Sequence, residues 1–239
     1  MNPPLPWPAL LLALLPACAA TSNTLDSGAL HPRWQQLDAH AFELWLERAF
    51  AKPDTVDLWE TDWDALEEGL RGPGASAVRA AVILSRLSSR RADELLLERL
   101  EARVLGSERG SDAGDVVAAT ALGAGPLARD ASTVERLAAL ALAPNPHPDL
   151  EVRVQCAATA LALGEKKVVP FLLRVLLIDT PAGLRQPAPW AEVERSAWAR
   201  ATAAAALSRH AGVENLYRTD ASSSDRELET ARLRALLQP

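Results

Sequence analysis

Asp149-Leu150-Glu151-Val152-Arg153-Val154-Gln155-Cys156-Ala157-Ala158-Thr159-Ala160-Leu161-Ala162-Leu163-Gly164, then Glu165-Lys166-Lys167-Val168-Val169-Pro170-Phe171-Leu172-Leu173-Arg174-Val175-Leu176-Leu177, is the stretch from which the whole chain is read. Asp149 is a suitable cap for a first helix, and Gly164 supplies the left-handed residue that ends it. Ala and Cys positions between them make a thin face that lets neighbouring backbones approach closely. Pro170 falls in the first turn of a second helix, where backbone N–H groups lack intrahelical acceptors, and the nearly all-apolar run that follows implies burial on several sides.

Working outward, the pattern recurs. Ala77-Val78-Arg79-Ala80-Ala81-Val82-Ile83-Leu84 opens an earlier copy, with Ala92 to Leu100 as its second helix. Arg79 and Arg153 lie 74 residues apart, two periods of 37, so one copy must lie between them. Asp115-Val116-Val117-Ala118-Ala119-Thr120-Ala121-Leu122-Gly123 supplies it without the arginine, and Ser132-Thr133-Val134-Glu135 has the form of a capping box opening a helix from Val134 to Leu142. A fourth copy runs from Ala191 to Arg209, and Ser224-Asp225-Arg226-Glu227 is expected to open a last helix toward Leu237. Gly123-Ala124-Gly125-Pro126 reads as an inter-helix turn. Strand signals are almost absent, and the fold class expected is all-α.

The Val-Arg pair, the small-residue stripe, the closing Leu-Gly and the proline opening a leucine-rich helix resemble HEAT repeats of the bacterial type also found in phycobilin lyase-like proteins. The resemblance covers roughly residues 75 to 239, at about 75–110, 112–145, 148–180 and 190–239, and implies an α-solenoid of helix pairs. It also implies that Arg79 and Arg153 are scaffold residues bonding to inter-repeat turns. Residues 30–74 fit the repeat poorly but keep helical spacing through Trp34, Leu37, Ala41, Leu44, Trp45 and Arg48, with Trp59 and Trp63 four apart. They are expected to form an irregular, aromatic-rich N-terminal cap, its tryptophans packing rather than stacking on a ligand.

Residues 1–17 read as a leader peptide, and Leu15-Pro16-Ala17-Cys18 resembles the lipobox of bacterial lipoproteins. That resemblance implies lipid attachment at Cys18, which becomes the mature N-terminus, followed by a polar tether over 18–29. Ala17-Cys18-Ala19 equally satisfies the small-x-small rule, with cleavage after Ala19 or Ala20 releasing a soluble periplasmic or secreted protein. Either route places the protein in or beyond the cell envelope.

The balance of 25 Lys+Arg against 31 Asp+Glu, a net charge of −6, argues against nucleic acid as a partner. Neither cysteine belongs to a CxxC arrangement, and His31, His40, His147 and His210 form no metal-spaced pair. Nucleotide-binding glycine loops and a GxSxG elbow are missing as well. No catalytic residue, metal or cofactor is expected. Acidic pairs such as Asp62 with Asp64, or Glu67 with Glu68, and the arginine-dense run Arg86, Arg90, Arg91, Arg99 and Arg103 with Glu94, Glu98 and Glu101, are expected to be solvated helix faces. The long connection Asp179 to Trp190 interrupts the period, as insertions on one face of a repeat array do. Arg185, Gln186 and Trp190 are its candidate contact residues. The function expected is a non-catalytic protein–protein interaction scaffold engaging an envelope protein, held to the membrane by its N-terminal lipid. A lyase-like enzyme is the less favoured alternative.

Overall fold

The computed structural model describes residues 34–51, 58–72, 74–87, 89–105, 112–124, 131–178 and 190–237. The leader, Cys18, and the connection at 179–189 with Arg185 and Gln186 lie outside the described residues. Within them the protein is all-helical: α1 (Ala39–Ala49), α2 (Glu60–Arg71), α3 (Ala75–Arg86), α4 (Arg90–Leu105), α5 (Ala113–Ala124), α6 (Ala131–Leu142), α7 (Leu150–Ala162), α8 (Val169–Leu176), α9 (Trp190–Ala211) and α10 (Ser223–Leu237). Short 3-10 turns at Trp34–Gln36 and Lys166–Val168 complete it. No helix among the described residues is long and apolar enough to cross a membrane.

The quoted stretch forms α7 and α8 as its chemistry dictates. Asp149 Oδ1 accepts the Glu151 N–H at 2.8 Å, which satisfies one orphan donor of the first turn. Gly164 sits at φ 100°, and the Glu165 N–H reaches back to the Ala160 carbonyl at 2.9 Å to close the helix. Pro170 lies in the first turn of α8, whose Phe171, Leu172, Leu173, Val175 and Leu176 are all buried.

Helices α3, α5, α7 and α9 begin 38, 37 and 40 residues apart, and each packs on the next of the four. Behind them, α4 contacts α6, and α8 contacts α10. The front contacts are made by small residues: Ala77, Ala80 and Ala81 of α3; Ala118, Ala119 and Ala121 of α5; Cys156, Ala157 and Ala160 of α7; Ala199, Ala203 and Ala204 of α9, all buried. Bulk sits behind, with Leu96, Leu97 and Leu100 of α4 and Leu137 and Leu140 of α6 almost completely enclosed. Each such leucine contributes roughly 1.5–3 kcal/mol by leaving water. Among the described glycines the tightest approach is at Gly114, where an added Cβ would lie 2.6 Å from the Cβ of Ala77.

At the N-terminal end, α2 packs on α3 and α4. Trp34 is buried against Gly69, where a Cβ would come within 2.8 Å of its ring. Trp45 and Trp63 pack partly buried against the same core, whereas Trp59 is 59% exposed and covers little.

Three boundaries differ from the sequence reading. Ser132 is not the cap of α6, because that helix already includes Ala131 and Ser132. In α10 the cap is Ser222, whose Oγ accepts the Asp225 N–H at 3.2 Å and donates to the Asp225 carboxylate at 2.7 Å. The reciprocal pair is therefore Ser222 with Asp225, two residues earlier than Ser224 with Glu227. Gly123 and Ala124 belong to the last turn of α5 rather than to the turn after it. At α10, Ser222, Ser223 and Ser224 compete for the cap, and Ser222 takes it.

Gly114→Ala should destabilise the fold by about 1–3 kcal/mol, even though alanine is the better helix former. Ala77→Gly in the same chain should restore part of the loss. Chemical denaturation of the two single variants and the double variant measures both effects.

Candidate functional site

The polar chemistry of the interior gathers where α5 and α7 begin. Asp112 turns the chain into α5 by accepting the Gly114 N–H at 2.8 Å, and it pairs with Arg99 Nη2 at 3.2 Å. One turn on, Asp115 is fully buried with both carboxylate oxygens engaged: Arg99 Nε donates to Oδ1 at 2.7 Å, and Arg103 Nε donates to Oδ2 at 3.0 Å. Burial pushes the Asp115 carboxyl up, and the two guanidiniums pull against that shift. Arg99 and Arg103 are thus mostly enclosed and turned inward from α4, not solvated as their place in an arginine-dense run implies.

His147 completes the cluster from the connection that leads into α7. Its backbone N–H donates to the Leu140 carbonyl at 2.9 Å, and its Nδ1 accepts the Asp149 N–H at 3.1 Å. An accepting Nδ1 places the ring proton on Nε2, which faces Asp115 Oδ2 at 3.8 Å, beyond hydrogen-bonding distance. The ring is fully buried, and burial brings its pKa down to about 4, so it is neutral at pH 7. Arg103 and Arg153 push in the same direction, while Asp149 opposes.

Glu151 lies two residues after the Asp149 cap of α7, where α5 has Gly114 two residues after Asp112, so the carboxyl has no counterpart in α5. Its carboxyl is 7% exposed and has no arginine clamp comparable to that of Asp115. Burial first, then Asp149 beside it, drives its pKa up to about 7, with Arg195 of α9 opposing.

The recurring arginines work on the backbone. Arg79 donates to the Gln35 carbonyl at 2.6 Å and to the Trp34 carbonyl at 3.3 Å, its guanidinium 5.1 Å from the ring of Phe42. Arg153 donates to the Ala141 carbonyl at 3.2 and 3.3 Å, 4.9 Å from the ring of Phe171. A third, which the sequence reading did not single out, is Arg200. It is 2% exposed and donates to the carbonyls of Ile178 at 2.9 Å and Thr219 at 3.3 Å. Its signal was present in Ala199-Arg200-Ala201 followed by Ala203-Ala204, but the insertion before α9 moves it 47 residues beyond Arg153 and out of period.

The other candidates disperse. Arg91 makes a bidentate pair with Glu60 at 2.6 and 2.9 Å and lies 4.7 Å from the ring of Trp63. Glu94 and Glu101 of α4 are not merely solvated, since both accept from Arg136 of α6 at 2.7 Å. Asp62 accepts the Trp59 N–H at 3.0 Å as a helix-start residue, and Glu67 pairs with Arg71. Trp190 opens α9, its side chain outside the described set. The Cys156 thiol is enclosed, and burial pushes it up to about 12, which leaves it protonated and unreactive. Near α10, Tyr217, Arg218, Ser222, Asp225 and Leu228 line a cleft of about 460 Å³, where Arg218 is engaged by Asp220. Among the described residues no group of three or more His, Cys, Asp and Glu side chains is placed to hold a metal ion.

Comparison with protein-family models, with curated proteins and with solved structures finds no match to this chain.

Asp115→Asn should cost about 3–5 kcal/mol, because it leaves two enclosed guanidiniums without their counter-charge. Differential scanning calorimetry measures the loss. His147 and Glu151 should tilt stability against pH in opposite senses. With its folded pKa lowered from 6.5 to about 4, neutral His147 favours the fold above pH 6.5, and this contribution is lost as pH falls toward 4. With its folded pKa raised from 4.5 to about 7, Glu151 favours the fold only while protonated, and its contribution is lost as pH rises from 4.5 to 7. Glu151→Gln should therefore leave a melting midpoint that climbs with pH across this window and, at pH 8, exceeds the wild-type value by roughly 4–8 °C.

Proposed function

We propose that this chain is a non-catalytic interaction scaffold of the bacterial cell envelope, a HEAT-like α-solenoid tethered by lipid at Cys18. The observation that supports the solenoid is the succession of contacts from α3 through α5 and α7 to α9, with Arg153 and Arg200 each reaching back to a carbonyl at the end of a preceding helix. Arrays of this kind present long surfaces to other proteins. The inward use of charge supports a scaffold over an enzyme. Asp115, Arg99, Arg103, Arg153 and Arg200 are all engaged in fastening helices to one another or to backbone.

The tether rests on Leu15-Pro16-Ala17-Cys18. A thioether-linked diacylglycerol with an N-acyl chain anchors firmly, since each buried methylene contributes about 0.8 kcal/mol. The engaging partner is an envelope protein, and the connection carrying Arg185, Gln186 and Trp190 is the proposed contact edge.

Wild-type chain grown in bacteria with labelled palmitate should carry the label and sediment with membranes, and Cys18→Ala should lose both properties. Unlabelled, soluble wild type cleaved after Ala19 or Ala20 would replace the lipoprotein with a freely diffusing envelope protein. For the contact edge, in-cell crosslinking of wild type is compared with an Arg185→Ala, Gln186→Ala, Trp190→Ala triple variant. The same crosslinked species from both would remove that loop from the interface.

A further inference from the structure

Helix α10 packs inward through Arg226, Thr230 and Leu233 and turns its opposite side to solvent. On that side lies Leu228, 73% exposed, with Ala231 and Ala235 exposed at the next positions of the same stripe. Spacings of three and four residues keep the three on one face of the helix. A lone exposed leucine is ordinary, but a leucine aligned with two small residues along a helix is a knob beside a shallow groove. The flank of the stripe is charged asymmetrically, with exposed Glu227 near the start and exposed Arg234 near the end.

We propose that this stripe pairs with the same stripe of a second copy of the chain, the two α10 helices antiparallel about a twofold axis. The register follows from the sequence. An axis midway between positions 230 and 231 sets Glu227 opposite Arg234 of the second copy, and symmetry repeats that pair. The same axis sets Leu228 between Ala231 and Ala235 of the second copy, so the large side chain of each helix meets the two small ones of the other. Charge and shape are thus satisfied by one register. A parallel pairing turns this flank toward the opposite flank of the second copy, so Glu227 and Arg234 do not meet and the charge complementarity is lost. A single helix face buries less than about 1,200 Å², the range of weak, reversible complexes. The pairing does not depend on the lipid tether.

Sedimentation velocity of the full chain from about 10 μM to 1 mM tests it. Wild type should move from monomer toward dimer mass across the range. Glu227→Arg alone and Arg234→Glu alone should each weaken association about tenfold or more, since symmetry makes two repulsive contacts from each. The double variant Glu227→Arg, Arg234→Glu should restore it, and Leu228→Glu should abolish it. Because these positions are exposed, their melting midpoints should match wild type, which separates lost pairing from lost folding. A wild-type monomer throughout, whether bare or with α10 covered by another segment or protein, overturns the proposal. So does a dimer that survives Leu228→Glu, or one that the double swap fails to restore.

Discussion

Helix ends leave carbonyls without partners, and the interior of this protein is organised around how those carbonyls are met. Arg153 and Arg200 start in front helices and reach carbonyls left where α6 and α8 finish, while Arg79 does the same for the turn at Trp34–Gln36. Each guanidinium offers several donors in a fixed plane, so a single side chain can fasten backbone and, in Arg79 and Arg153, lie against an aromatic ring as well. Tyr217 adds to the fastening at α8 by donating its hydroxyl to the Leu176 carbonyl at 2.6 Å. With the carbonyls met, the alanine faces of α3, α5, α7 and α9 can lie close without burying unsatisfied backbone.

The pair that lacks the arginine is fastened by an ion cluster instead of by a guanidinium on backbone. At α5 the anchored group is Asp115, and the reaching groups are Arg99 and Arg103 from the helix before. An enclosed carboxylate between two guanidiniums is costly to create and costly to break, so it specifies which helices meet more than it adds to net stability. Glu151, in the first turn of α7, is buried without such a clamp. Its elevated pKa is the physical trace of a carboxyl buried beside Asp149 and opposed only by Arg195.

Helix class, the alanine faces, the Asp149 cap, the Gly164 stop and the Pro170 start were all legible, because each depends on residues within one or two turns of one another. Arg79 and Arg153 were legible through the period. Arg200 was not, since the period breaks at the insertion and a third arginine in an alanine-rich helix looks like an exposed one. The inward turn of Arg99 and Arg103 was likewise hidden, because the carboxylate that holds them lies on the next helix. The four-tryptophan segment was legible as helical, but neighbouring sequence does not distinguish the enclosed Trp34 from the exposed Trp59. The terminal caps failed for a related reason: Ser222, Ser223 and Ser224 are chemically equivalent until packing selects one.

The backward reach of the arginines makes each helix pair depend on the one that follows it in sequence. The carbonyl of Ala141 precedes Arg153 by 12 residues, and that of Ile178 precedes Arg200 by 22. Each end is therefore closed by a side chain that lies later in the sequence, on the next front helix. Arg200 also donates to the carbonyl of Thr219, which follows it, so α9 is fastened from both directions. Truncation of the chain before a front helix therefore opens the end of the pair that precedes it.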